Sequence, residues 1–302
     1  MIRFFQRNGS GITLIVATYF YFLIFAQFAF IELLNSDLSD ALKPMMAAMA
    51  ISGITGSLIT PLVLKRIGAA KALGGALIGC AGMSALAVPA HHFQSYLIIS
   101  IGTGLSLGLL TVTLTANLRF LLSPGSWGPG IGAGTGIAYA CANFPPIFAT
   151  SSANQALLAS AFVLIALTAV RNLDQPIEKE ISAPPSQLRI FPYAVLIFLA
   201  LVWLDSAAFY IIQHTRELKE SSWGNAHLWR NGVIHLLFAV LAGSLLQKRN
   251  AAILTAGAFI LLTIASAPQP GPLRFSTPLP GGSAPPMALG WQKTSAEFPF
   301  SS

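Results

Sequence analysis

The sequence predicts an all-α fold, a polytopic transmembrane helix bundle of about nine spans, and three observations predict it. Nine apolar stretches are each long enough to cross a bilayer, which takes roughly 20 residues for about 30 Å of hydrocarbon. Only 9 % of the 302 residues are charged against 54 % hydrophobic, too little charge to coat a water-soluble globule. The charges that exist fall almost entirely in the gaps between the apolar stretches.

The first span is read at residues 11–34. Arg3 and Arg7 precede it as the basic end of a signal peptide would, but the apolar run is too long for one. Phe28 also occupies the middle of residues 26–30, where a small-x-small cleavage site would fall, so an uncleaved helix is expected. Residues 44–64, 70–90, 96–118, 128–146 and 151–170 follow as the second to sixth spans, and their short connections predict that each packs antiparallel to the next. Helices are expected rather than strands because runs such as 194–204 are apolar on every side, without the period-two alternation of a membrane barrel.

Residues 1–170 thus form an N-terminal six-helix bundle. Residues 171–191 carry Asp174, Glu178, Lys179, Glu180 and the pair Pro184 and Pro185, the polarity and breakers of a cytoplasmic linker. Three further spans, 192–213, 229–246 and 251–267, make a partial C-terminal bundle. Residues 268–302 hold eight of the nineteen prolines and no spanning run, so a disordered or aberrant tail is expected there. It is either unselected sequence after a frameshift or early stop beyond Ala267, or a genuine extramembrane tail.

Lysine and arginine set the orientation. With the N-terminus in the cytoplasm, eleven of the seventeen basic residues fall on the cytoplasmic side, which favours that topology; the expected location is a bacterial plasma (inner) membrane. The net charge of +7 then follows from topology and an anionic inner leaflet. No basic stripe interleaved with aromatics marks a nucleic-acid surface, so the expected partners are the bilayer and a small solute of unknown identity.

Asp205 stands near the middle of the seventh span among Trp203, Ser206, Phe209 and Tyr210. A charge there costs on the order of 2.5–3.5 kcal/mol on insertion, so it has a reason: a proton taken up and released along a pathway, or a protonated acid bonded to a neighbouring helix. Gln27 and Glu32 lie five apart on the first span, Gln27 deep enough to meet a polar substrate and Glu32 near the outer interface. His235, one turn into the eighth span, is either a proton relay or a packing residue. Gly128, Gly132 and Gly136 repeat every four residues and line one helix face for close packing, and with Pro129 they also suit a hinge. Cys80 and Cys141 read as small packing residues, and the pair His91 and His92 lies in an outer loop without nearby acids or thiols. No catalytic group, metal or cofactor is expected.

The loop between the second and third spans reads Pro61-Leu62-Val63-Leu64-Lys65-Arg66-Ile67-Gly68-Ala69-Ala70-Lys71. In it Arg66 and Gly68 match the pattern G-x-x-x-D-R-x-G-R-R/K, with Pro61 for the first glycine and Lys65 for the acid, and Lys71 supplies a basic residue one position past the pattern's end. A second copy, Gly243-Ser244-Leu245-Leu246-Gln247-Lys248-Arg249-Asn250, keeps Gly243 and the basic Lys248 but has Gln247 for the acid. Aligning residues 25–30 with 203–208 sets Gln27 against Asp205, a short internal repeat. By these loops and by six spans before a charged linker, the chain resembles the major facilitator superfamily of transporters. The resemblance implies a small-solute carrier working by alternating access, cut short after the ninth helix. The alternatives are a non-transporting membrane subunit, an assembly factor or an inactive truncated transporter. A membrane enzyme is disfavoured because His91, His92, His214, His227 and His235 are scattered.

Overall fold

The first apolar stretch is longer than a bilayer requires, and it winds in three parts. Helix α1 (Ile2–Tyr21) passes into an eight-residue π-helical segment (Phe22–Ala29) and then into α2 (Phe30–Leu38). The π winding coincides with a crowd of aromatic rings. Its i→i+5 bonds, such as Phe30 N–H to Phe25 O, set residues five apart one above the other. The rings of Phe25 and Phe30 meet that way at 5.8 Å between centroids, and Tyr21 lies 5.2 Å from Phe25. In this computed structural model, which describes residues 2–123, 125–170, 228–248 and 257, the stretch is the axis of the bundle. Of its most apolar part 67 % is buried, against 22 % for the peripheral helix α3 (Leu42–Ile67).

A 3-10 turn (Ser39–Ala41) leads into α3, and after it come α4 (Ala69–Ala87), α5 (Phe93–Leu121) and α6 (Trp127–Ala142). The short α7 (Pro145–Phe148), α8 (Ser152–Val170) and, beyond residues 171–227, α9 (Leu228–Lys248) complete the described elements. Helix α1 packs between α6 and α8, where Phe20 stacks on Phe162 at 4.1 Å. Helix α4 packs between α5 and α8.

The expectation that each span packs on the next holds only for the pair α4 and α5: α3 lies along α5 rather than α4, α6 packs on α1 rather than α5, and α8 packs on α4 and α1 rather than α6. For α3 the reason is a seam of small residues. A Cβ built on Gly104 would run into Met49 O and Ser52 Oγ, one on Gly108 into Gly53 O, and one on Gly56 would reach Leu105 O at 2.5 Å. Lipid tails are as apolar as leucine, so helices in a membrane associate through such close van der Waals approach. Two hydroxyls of α3 at the seam are satisfied within their own helix: Ser52 Oγ donates to Met49 O at 3.0 Å and Thr60 Oγ1 to Gly56 O at 2.7 Å. The far side of α3 shows the reverse of a soluble protein, with Ile51, Ile54, Leu58 and Leu62 between 62 % and 74 % exposed. An oily outside around a small-residue inside is what a lipid solvent selects.

The fifth span is shorter than expected. Residues 128–146 do not form one helix: α6 ends at Ala142 and Phe144 is extended (φ −69°, ψ 121°). Pro145 causes the break, because a proline pushes the preceding residue out of the α region. Sixteen residues rise only about 24 Å. Among the described residues, five helical stretches are long and apolar enough to cross a membrane: Asn8–Leu38, α3, α4, α5 and α8. Trp229–Leu245 in α9 is apolar but shorter. Apart from Gly257, the expected spans 192–213 and 251–267, the linker and the tail lie outside the described residues.

Gly68 alone joins α3 to α4, at φ 79° and ψ 166°, a conformation open essentially only to glycine. Nothing lies within 4 Å of where its Cβ would stand, so alanine there meets pure backbone strain of about 1–3 kcal/mol. Gly68→Ala should therefore lower the unfolding midpoint in detergent. Gly75→Ala, equally uncrowded but inside α4, should leave the midpoint unchanged or raise it.

Candidate functional site

The three glycines of α6 lie four residues apart and so share one helix face. That face receives α9. A Cβ on Gly128 would strike Gly243 O, one on Gly132 would strike Ala239 O, and one on Gly136 would come within 2.8 Å of Leu236 Cα. From the other side, a Cβ on Gly243 would strike Gly128 O, and one on Gly232 would stand 3.0 Å from Ala140 Cα. The two backbones are therefore in contact along the whole of α6.

Both ends of this seam are fastened. Gly128 N–H, one of the donors that a helix's first turn leaves without an internal partner, donates to Gln247 Oε1 at 3.0 Å. At the opposite end the Tyr139 and His235 rings stack, 4.1 Å apart and 25° from parallel. Pro129 sits in the first turn of α6, where its missing N–H removes no helical bond, and α6 runs on unbroken to Ala142.

The glycine repeat predicts the α6 face but does not name its counterpart. Gly232, Leu236, Ala239 and Gly243 follow i, i+4, i+7, i+11, one face of α9, and that spacing was the available signal. Gly243, the glycine of the second loop motif, lies on this face of the helix rather than in a loop. Gln247, noted only as a departure from the motif's acid, turns out to cap the partner helix. In the first copy of the motif, Arg66 and Lys71 are exposed on either side of Gly68, and Lys248 is the last residue of α9.

The remaining candidates lie on the first stretch or beyond the described residues. Gln27 is half-buried within the π segment, and π turns recur at functional sites because they open the regular bonding ladder. Glu32 is exposed on the first turn of α2. Asp205 lies outside the described residues. Cys80 is buried in the core, where Tyr21 Oη donates to its carbonyl at 2.8 Å, and Cys141 is half-buried.

The two ends of the bundle carry polar ties. At one end Asn8, 1 % exposed, takes Ser123 N–H at 2.7 Å and Ser123 Oγ at 2.9 Å on its Oδ1, fastening the loop between α5 and α6 to α1. At the other, the fold corrects the reading of His91 as a residue without an acid nearby. Asp37, distant in sequence, brings Oδ2 within 3.0 Å of His91 Nδ1, and Tyr96 Oη donates to the same oxygen at 3.0 Å. No group of three or more His, Cys, Asp or Glu side chains that could hold a metal occurs among the described residues.

Five membrane-length apolar helices with an oily exterior make this an integral membrane protein. Comparison with family models, with curated proteins and with solved structures finds no match to this chain.

Proposed function

We propose that this protein carries a small solute across the membrane by alternating access, in the manner of the major facilitator superfamily that its loops resemble. The observation that supports this most is the seam between α6 and α9. It joins the first bundle to a helix from beyond the linker chiefly through glycine against backbone. Two such surfaces can rock over one another at little cost, whereas interdigitated large side chains resist it. The half-buried Gln27 in the π segment is the candidate for a polar substrate contact, and Asp205 for proton coupling. The distribution of basic residues supports a cytoplasmic N-terminus, and the membrane we propose is a bacterial inner membrane.

Uptake of a labelled compound library into vesicles containing the purified chain tests the reading. Saturable flux of at least one compound above empty vesicles supports it, and no flux for any compound points to the non-transporting subunit. Topology is checked separately: a reporter fused after Lys71 or Asp174 should be cytoplasmic, and one fused after His92 external.

A further inference from the structure

We infer that the interior of the bundle holds a water molecule where α1, α4 and α5 meet, bound by the hydroxyls of Tyr21, Ser84 and Thr103. All three residues are 0 % exposed, and each comes from a different helix. Tyr21 Oη donates to Cys80 O at 2.8 Å and faces the hydroxyls of Ser84 and Thr103. Among the described residues Thr103 Oγ1 closes no hydrogen bond, with Tyr21 or with any other group. Two hydroxyls that face each other without closing a bond leave the kind of gap that a bridging water spans.

Thr103 departs from the habit of the other hydroxyls in this bundle. Thr18 Oγ1 turns back on its own helix to Leu14 O at 2.8 Å, and Thr115 Oγ1 does the same to Thr111 O at 2.7 Å. Thr103 forgoes that bond and finds no carbonyl across the interface, because the facing turn of α4 is already taken. Cys80 O receives Tyr21 Oη and, at 3.1 Å, Ser84 Oγ. Ala81 O receives Ser84 Oγ at 3.1 Å and Ser160 Oγ of α8 at 3.0 Å. With the N–H bonds of the helix itself, neither oxygen has a lone pair left. What remains is a hydroxyl proton on Thr103 without an acceptor, and oxygen lone pairs on Tyr21 and Ser84 without a donor. A molecule that accepts one hydrogen bond and donates two completes this set, and water does so with about three bonds, the usual number for a buried one.

Other occupants fit less well. None of the three groups is charged, so an ion would lie in the bundle without a counter-charge. A larger solute has no room, since α4 and α5 are pressed together on small residues: a Cβ on Gly79 would run into Ser106 Oγ and one on Gly102 into Met83 Sδ. A buried hydroxyl without a partner is costly, and the hydrocarbon around the bundle offers none. The water thus fastens the axis of the bundle to two of its neighbours.

The test is local and independent of flux, so its failure and that of the transport reading are distinguishable. Brief X-ray exposure of the purified full chain in detergent makes hydroxyl radicals from bound as well as bulk water, and mass spectrometry reads the oxidation rate of each residue. Tyr21 should be oxidised several times faster than Phe20 and Phe25, which lie on the same stretch and are equally buried. Thr103→Val, which keeps the shape and removes the hydroxyl, should bring Tyr21 down to the rate of those phenylalanines, and Thr103→Ser should restore it. Stability supplies a test of sign. A hydroxyl with no partner at all would be relieved by valine, whereas one that holds a water is missed, so Thr103→Val should lower the folding equilibrium constant by about two- to tenfold. Oxidation of Tyr21 no faster than that of the two phenylalanines, an unchanged Tyr21 rate in Thr103→Val, or a Thr103→Val chain more stable than the parent overturns the inference. The comparison of Tyr21 with Phe20 and Phe25 needs no substitution, so it decides the matter even if Thr103→Val folds poorly.

Discussion

Gly132→Leu is expected to part α9 from α6. The new side chain would meet Ala239 O, a backbone atom that cannot rotate aside, so the seam must open by several tenths of an ångström or more. Overpacking a close interface costs typically 1–3 kcal/mol, and an obstruction made of backbone belongs at about the upper end of that range. The loss should show as a lower unfolding midpoint. It should also show as failure of a short bifunctional maleimide to bridge Tyr139→Cys and His235→Cys, whose rings stack in the parent. Gly125→Leu is the control, because nothing lies within 4 Å of that position. Retained bridging in Gly132→Leu would mean that the two helices do not depend on the glycine face.

Asp205→Asn is expected to uncouple transport from the proton gradient. Asparagine keeps the shape and much of the hydrogen bonding of the acid but cannot take up and release a proton. One proton moving with the solute through 100 mV is worth about 2.3 kcal/mol, about fiftyfold in the accumulation ratio, and that is the loss predicted. Insertion should be spared, because the variant is neutral and the parent acid carries the larger insertion cost. An unchanged pH dependence of flux in Asp205→Asn would remove the residue from the mechanism and leave it a structural hydrogen bond.

The positions of α3, α4, α5 and α8 were legible because hydrophobicity over some twenty residues is a local property, and lipid rewards it directly. Which helix packs on which was not. The neighbours of α3 are decided by whether Ser52, Gly53 and Gly56 find a matching row, and Gly104 and Gly108 lie some fifty residues downstream. The same holds at the candidate site: the glycines of α6 announce a close partner but do not say which, and Gln247 acquires its capping role only once α9 is in place. The tie at Asp37 was invisible for the opposite reason. His91 has no acid near it in sequence, and only the return of α5 past the end of α2 supplies one. The break before Pro145 was legible in principle, since Phe144-Pro145-Pro146 names its own cause.

The π segment has a consequence for every residue that follows it. An α-helix turns about 100° per residue, and i→i+5 winding turns less, so eight residues wound that way change the phase of the helix that continues from them. The segment thus works as a rotary offset built into the chain. It decides which side of the axis Leu33, Leu34 and Asp37 occupy, and so whether the carboxylate of Asp37 faces Tyr96 or the lipid. A single-residue deletion within Phe22–Ala29 would leave composition and hydropathy almost untouched and yet dial that whole end of the helix to a different bearing.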